Sequence, residues 1–399
     1  MAKVKIQGHA SGTGILTVTA PNTSTDRTIT LPDSTDTLIG AATTDALTTR
    51  INATGGRKNI VNNGAFQIAQ RGTSSTVSGY GSVDRWKSVN NVGVTHTQEA
   101  ITSGDAYDAG FRHAFKLTNT ATVDTAASHY VSCYQYIEAQ DLATSGWDYT
   151  DASSYITISF WIKSSVAGTY YVNPMTEDGT QKVYPQSFSL SAATWTKVEK
   201  SYPGHADLTF NNDTGRGMAL HISPFYGTDF TSGVSTSAWS TYASGDRFPD
   251  FAQRWGSAGT GATWEITGVQ LELGSVATDF EHRSYGEELA LCQRYFQYGS
   301  TSSTYCGFSN GSSQAYFTLH LTTPLRTTPT LTRSGSGTRN WTAVKHNGNN
   351  NSTADPSVVT YEAGAVDMAC RQTGHSGLSD MYATNLYTGS YYIIIDAEL

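Results

Sequence analysis

Charge is scarce in this chain: only 15% of its 399 residues are Asp, Glu, Lys or Arg, against about 25% in ordinary globular domains. Positive charge is the scarcer kind, with 25 Lys and Arg against 33 Asp and Glu, for a formal net charge of −8. A surface of that sign repels phosphate backbones, so nucleic-acid binding is not expected. Cysteine is nearly absent. The four residues, Cys133, Cys292, Cys306 and Cys370, lie far apart with no C-x-x-C pair, which points to buried free thiols rather than a disulfide framework or a zinc site. No run approaches the roughly 18 apolar residues of a membrane-spanning helix, so membrane insertion is not expected either. The opening Met1-Ala2-Lys3-Val4-Lys5 lacks the apolar core of a signal peptide and runs straight into Gly8-His9-Ala10-Ser11-Gly12. The expectation is a chain that folds in the cytoplasm where it is made.

What fills the space is Ser, Thr, Asn and 38 Gly, together with 23 Tyr and 8 Trp. Disordered chains lack such aromatics, and a Thr-, Gly- and aromatic-rich sequence favours strands and tight turns over helices. The fold class expected is all-β. Residues 1–57 hold two short runs with period-two alternation, Ile15 to Ala20 and Thr28 to Leu31, joined by the turn cluster Pro21 to Asp26. Segments this small bury too little to stand alone, so a small N-terminal oligomerising β segment is expected, with a short helical neck over Ala41 to Asn52. Residues 58–283 read as a jelly-roll β-sandwich. Its clearest strand, Tyr155 to Lys163, turns Ile156, Ile158, Phe160 and Ile162 to one side. Other strands are expected at Arg112–Thr118, His129–Glu138, Thr169–Val172, Trp195–Tyr202, Gly217–Ser223 and Thr263–Leu273. In the last of these the apolar parity flips at Gly268, as at a β-bulge.

Residues 284–298 form a linker helix, opened by a capping box of Ser284 and Glu287 and carrying Leu289, Cys292 and Phe296 as an apolar stripe. Residues 299–399 read as a smaller C-terminal β-sandwich, with strands at Tyr316–Leu321, Thr328–Thr332, Trp341–Lys345, Val358–Glu362, Val366–Cys370 and Tyr391–Asp396. Asn347 to Ser352 is expected to be an exposed polar loop.

Several ordered motifs resemble one family. Asn59-Ile60-Val61-Asn62-Asn63-Gly64-Ala65-Phe66, Gln70-Arg71-Gly72 and Asp84-Arg85-Trp86 are similar to the opening of jelly-roll domains in phage tail-fibre and prophage structural proteins. Thr267-Gly268-Val269-Gln270-Leu271-Glu272-Leu273-Gly274, then Ala277-Thr278-Asp279-Phe280-Glu281, then Glu288-Leu289-Ala290-Leu291-Cys292-Gln293-Arg294-Tyr295, resemble the close of the carbohydrate-binding-module-like domain in those proteins. Pro324 to Thr330 and the final Asp396-Ala397-Glu398-Leu399 resemble their terminal sandwich, and Thr28 to Asp33 their N-terminal attachment region. The resemblance implies a homotrimeric fibre at the virion surface, docked through its N-terminus on another virion protein of tail, baseplate or head. It would attach to a host cell-surface glycan without catalysis. It implies no required cofactor, and a structural calcium ion held by carboxylates and backbone carbonyls whose ligands stay open. The alternatives are a purely structural head or baseplate fibre or decoration protein and, third, a polysaccharide depolymerase.

Sugar recognition needs flat apolar faces flanked by planar polar groups. The Gly/Ser-rich connection before the Trp264 strand supplies both: Phe225, Tyr226, Phe230, Trp239, Tyr242, Phe248, Phe251 and Trp255, interleaved with Asp229, Asp246, Arg247, Asp250, Gln253 and Arg254. Its carbohydrate-binding candidates are Trp239, Tyr242, Phe251, Trp255, Asp246 and Arg247, with Trp147 and Tyr149 as a second group. The bland alternative is that these rings plug an end of the sandwich or meet a neighbouring chain. Trp86, Trp161 and Trp264 read as core. Gly307-Phe308-Ser309-Asn310-Gly311 matches G-x-S-x-G, but a strand follows it where a nucleophile elbow needs a helix, so a β-turn is expected. Glu177, Asp178, Glu265 and Glu272 are the carboxylates available for glycoside cleavage. The chain lacks the parallel β-helix repeat that depolymerases resembling known types usually carry. The ten His residues are scattered singly, none at ligand spacing from another.

Overall fold

The computed structural model describes residues 58–121, 126–251, 255–299, 304–333, 341–345, 348–352, 354–362, 364–387 and 393–399. The N-terminal segment and neck expected over residues 1–57 lie outside them. The fold is all-β. From Asn52 to Leu399 the chain forms one compact unit containing two main hydrophobic cores.

The larger core is that of the jelly-roll sandwich. One sheet runs Ser74–Ser75, Val94–Ala100, His113–Asn119, Thr263–Leu273, Tyr155–Ser164, Thr196–Pro203 in spatial order. The other runs Phe225–Tyr226, Tyr130–Glu138, Arg216–Ser223, Gly168–Thr176, Lys182–Val183, Ser240–Thr241, with Lys87–Asn90 and Gln186–Leu190 paired alongside. Alternation explains the packing. Ile156, Ile158, Phe160 and Ile162 are all inward and no more than 2% exposed, meeting Val131, Cys133, Leu220 and Ile222 of the facing sheet within one cluster. The outward residues follow the same rule, and one corrects an expectation. Trp161 sits on the outer face, half-buried beside Trp195, because it falls on the odd positions of a strand whose even positions fill the core. Trp86 and Trp264 are fully buried.

The parity flip at Gly268 is a bulge. The register against Tyr155–Ser164 shifts between Thr267 and Gln270, and Gly268 has φ 62°, a left-handed conformation that glycine adopts without strain. The Asn59-to-Phe66 run laces onto this bulge. Val269 N donates to Gly64 O at 2.9 Å, and a Cβ on Gly64 would lie 2.0 Å from Val269 O, so the contact requires glycine.

The helix spans Tyr285–Gln293 and the capping box is present in both directions. Its buried face differs from the expected stripe: Glu288 and Cys292 point inward. Leu289 is only half-buried, and Phe296 belongs to the next strand. Glu288 is satisfied there by Asn63 N and by Arg283 at 3.5 Å.

The C-terminal part has a seven-stranded sheet in the order Gly348–Ser352, Trp341–Lys345, Ala383–Tyr387, Thr304–Asn310, Gln314–His320, Asp367–Gln372, Ser357–Thr360. A three-stranded sheet of Phe296–Tyr298, Ile393–Asp396 and Thr330–Arg333 accompanies it. Phe317, Leu319, Leu325, Met368, Cys370, Ile393 and Ile395 form its core. Gly348–Ser352, within the run expected as a polar loop, is a strand paired with Trp341–Lys345. Backbone pairing to a neighbour overrode the weak strand propensity of three consecutive Asn.

Candidate functional site

The connection after Phe225 folds back over the outer face of the second sheet. Phe248 stacks on Tyr226 at 4.6 Å and meets His221 edge-on at 6.1 Å. Phe251 meets Tyr171 at 5.3 Å. Asn173 Nδ2 donates to Arg247 O at 2.9 Å, and the Tyr171 hydroxyl donates to Asp250 O at 3.3 Å. These contacts help make Arg216–Ser223 a strand buried on both faces. Burial also pushes His221 down to about 3, so the ring is neutral at ordinary pH.

This strap divides the expected site residues into two groups. Trp239 is 8% exposed and Trp255 is 0% exposed. The Trp239 Nε1 donates to Pro203 O at 2.8 Å with Tyr184 and Tyr202 against the ring, and the Trp255 Nε1 donates to Thr263 O at 3.1 Å. Phe251 and Trp147 are buried in the same core, and Tyr149 packs half-buried between Trp147 and Phe210. The second group stays half-exposed: Tyr242, Asp246 and Arg247, joined by Phe230. The Arg247 guanidinium lies 5.1 Å from the Phe230 ring centre and 5.6 Å from that of Tyr242. Ser244 holds it, its carbonyl accepting from Nε at 3.1 Å and its hydroxyl oxygen from Nη2 at 3.2 Å. Nη1 has no partner among the described residues. Asp246 Oδ1 accepts from Ser232 N and Val234 N at 3.1 and 2.9 Å, which fixes the loop and leaves Oδ2 free among those residues. Tyr130, half-buried and edge-on to Phe230 at 5.4 Å, extends the cluster. Sequence reading missed Tyr130 because it opens a regular strand. Gln253 and Arg254 lie outside the described residues.

Three of the four carboxylates considered for catalysis, Glu265, Glu272 and Asp178, are occupied in other ways. Glu265 pairs with Lys163 at 2.9 Å. Glu272 accepts from Gln270 and from Thr278 N, each at 2.8 Å. Asp178 accepts from Asn211 N at 2.9 Å. Glu177, raised by burial, accepts from Gln181 through Oε2 at 3.2 Å, while its Oε1 is buried with no hydrogen-bond partner among the described residues. The G-x-S-x-G stretch runs from the Thr304–Asn310 strand into a hairpin. Ser309 is 1% exposed with its hydroxyl donated to backbone carbonyls, which leaves no free nucleophile. Among the described residues no group of three or more His, Cys, Asp or Glu side chains is gathered to hold a metal. Among those residues, too, no helix is long and apolar enough to cross a membrane.

The motifs that carry the family resemblance meet elsewhere, at the seam between the two cores. Arg85, 1% exposed, stacks 3.3 Å over the Tyr295 ring, donates to Tyr136 O at 2.7 Å and pairs with Glu398. Arg71 lies 3.6 Å over Phe296 and pairs with Asp396 and Glu398, each at 3.3 Å. Arg294 binds both oxygens of buried Glu138 at 2.8 Å, holding that carboxyl below its usual range. Arg326 donates to the carbonyls of Thr214, Ala397 and Glu398. These residues build architecture rather than a binding face.

No family model matches the chain, and no curated protein matches it. Solved structures do. One is a protein of Bacteroides thetaiotaomicron VPI-5482 provisionally described as sugar binding, at 14% identity and TM-score 0.33, over 54% of this chain and 100% of that one. Another is a CBM4 structure, at 15% identity and TM-score 0.27, over 54% and 99%. A third is the CBM22-1–CBM22-2 tandem of Paenibacillus barcinonensis Xyn10C, at 12% identity and TM-score 0.27, over 86% and 99%. At these identities and TM-scores the matches settle no function.

Proposed function

We propose that this chain is a non-catalytic virion fibre protein of a phage, which attaches to the host surface by binding envelope glycan. The ordered motif series supports the family reading. The observation that carries glycan binding is the half-exposed cluster of Phe230, Tyr242, Arg247 and Asp246, mounted on a rigid sandwich. Its rings offer faces to sugar C–H groups, while the free guanidinium nitrogen and carboxylate oxygen can hydrogen-bond hydroxyls. In this reading the chain is a homotrimer. Residues 1–57 join it to another virion protein, and several weak sites act together, raising avidity far above any one site's affinity.

The test is titration of host envelope polysaccharide into wild-type protein and into Arg247→Ala and Tyr242→Ala. Each substitution should weaken binding about tenfold, the loss of roughly one stacking or charged hydrogen-bond contact. Wild-type affinity in both variants would overturn the assignment. The burial of Trp239, Phe251 and Trp255 favours a second reading, a purely structural fibre whose aromatics serve packing. Under it wild-type protein binds no polysaccharide at all.

A further inference from the structure

The seven-stranded C-terminal sheet turns Phe317, Leu319, Met368 and Cys370 into its core. Strand alternation therefore sends Phe308, Tyr316 and Arg371 to the outer face. The three stand opposite one another in register across neighbouring strands, with Ala383 on the far side of Phe308. Phe308 is 46% exposed. Tyr316 lies parallel to it, at 5.3 Å and 6°, and takes one face of its ring. On the other side Ala383 is exposed and ends at its Cβ, so the second face of the Phe308 ring stays open. It forms the wall of a slot one strand wide, about 4.8 Å.

Planar polar groups flank this ring pair. Asn310 and Gln314, paired in register, stand on the same face about 7 Å further along the two strands. Asn310 is exposed, and Gln314 and Arg371 are half-buried. Gln314 Oε1 accepts from the Tyr316 hydroxyl at 3.3 Å. Its Nε2, the Asn310 side-chain amide and both Nη atoms of Arg371 have no partner among the described residues. An open ring face beside unpaired amides is the arrangement that a pyranose needs, with C–H groups on the ring and hydroxyls on the planar donors and acceptors. One ring pair with a polar fringe is a small footprint for a protein partner, whose stable contacts bury about 800 Å² on each side. The slot itself, between Phe308, Ala383 and Asn310, holds no charged side chain.

We propose that this outer face is a second glycan site, which takes a neutral oligosaccharide. One pyranose stacks on the open face of Phe308 above Ala383 and bonds the Asn310 amide, and the next unit reaches Gln314 and Arg371. This goes beyond the site at Arg247 and does not depend on it. The residues come from regular strands, which hold a site more precisely than loops do.

The test is binding of the full chain to an array of immobilised neutral and uronate-bearing oligosaccharides, compared among wild type, Phe308→Ala, Ala383→Phe and Arg247→Ala. The expected result is at least one neutral glycan whose binding survives Arg247→Ala. Phe308→Ala should weaken it about tenfold, and so should Ala383→Phe, which keeps the stacked pair and fills the slot. Both positions are exposed, so unfolding curves and the mass by light scattering should match wild type. Absence of any bound glycan, binding confined to uronates, full affinity in Ala383→Phe, or loss of all binding in Arg247→Ala would overturn the proposal. A lower mass in Phe308→Ala would make the face a contact between copies of the chain and overturn it as well.

Discussion

Replacing Glu398 by Ala should destabilise the protein by about 3 kcal/mol, because it leaves a buried guanidinium without its anion. Glu398 is 5% exposed and sits against Arg85, itself 1% exposed. Breaking a buried pair by removing one partner costs roughly 3–5 kcal/mol. The lower end applies here. Arg85 keeps its bond to Tyr136 O at 2.7 Å and its stack on Tyr295, and Arg71 keeps Asp396 at 3.3 Å. Urea unfolding followed by tryptophan fluorescence at pH 7 reads the loss, since Trp86 adjoins Arg85 in the chain and is fully buried. A loss of about 3 kcal/mol is a large share of a native stability of about 5–15 kcal/mol. Because the pair joins the two cores, the C-terminal core should unfold first in the variant. The combined variant Arg85→Met with Glu398→Leu should recover most of the loss, since a pair exchanged for apolar groups is often neutral. A single variant within 0.5 kcal/mol of wild type, or a combined variant no better than the single one, would refute the reasoning.

Gly268→Ala should cost about 1–3 kcal/mol in the same assay, because the backbone stands at φ 62° and the new Cβ would lie 2.4 Å from the Phe111 ring; an unchanged midpoint would mean that the bulge tolerates any residue. His221, held down at about 3 by burial, takes a proton in the unfolded chain near pH 6.5 but not in the folded one. Its contribution is therefore present above pH 6.5 and is lost as pH falls toward 3, at up to about 1.4 kcal/mol per unit. Asp84, raised to about 6 by burial, acts in the opposite sense: its contribution is full below pH 3.8 and is lost as pH rises through 6. The readout is accordingly the difference between wild type and His221→Asn, whose stability should fall less steeply between pH 6 and 4. Parallel pH profiles would contradict the burial argument.

Local rules made much of the fold legible. The alternation in Tyr155 to Lys163, the parity flip at Gly268 and the Ser284–Glu287 box each depend on residues a few positions apart, and each has its expected consequence in the structure. Long-range arrangements were not legible. Arg85 and Glu398 meet across 313 positions, and no local pattern announces that three separated motifs close one seam. The aromatic connection shows a different limit. Composition marked the stretch from Phe225 to Trp255, but a ring in a Gly/Ser-rich loop can point either way. The outer face of the second sheet decided the matter by taking Phe248 and Phe251 as its cover and leaving Tyr242 and Arg247 half-exposed. Asn349 to Asn351 read as a loop because Asn favours turns, while the pairing that makes them a strand comes from Trp341–Lys345.

Non-catalytic attachment to envelope glycan is tested most directly by one size-exclusion run, with light scattering and refractive index, on the protein mixed with host envelope polysaccharide. Attachment predicts that the polysaccharide co-migrates with the protein at unchanged mass, and that the protein's own peak has the mass of three chains. Polysaccharide shifted to lower mass would contradict the absence of catalysis, and two peaks that both stay where they were would contradict glycan binding itself.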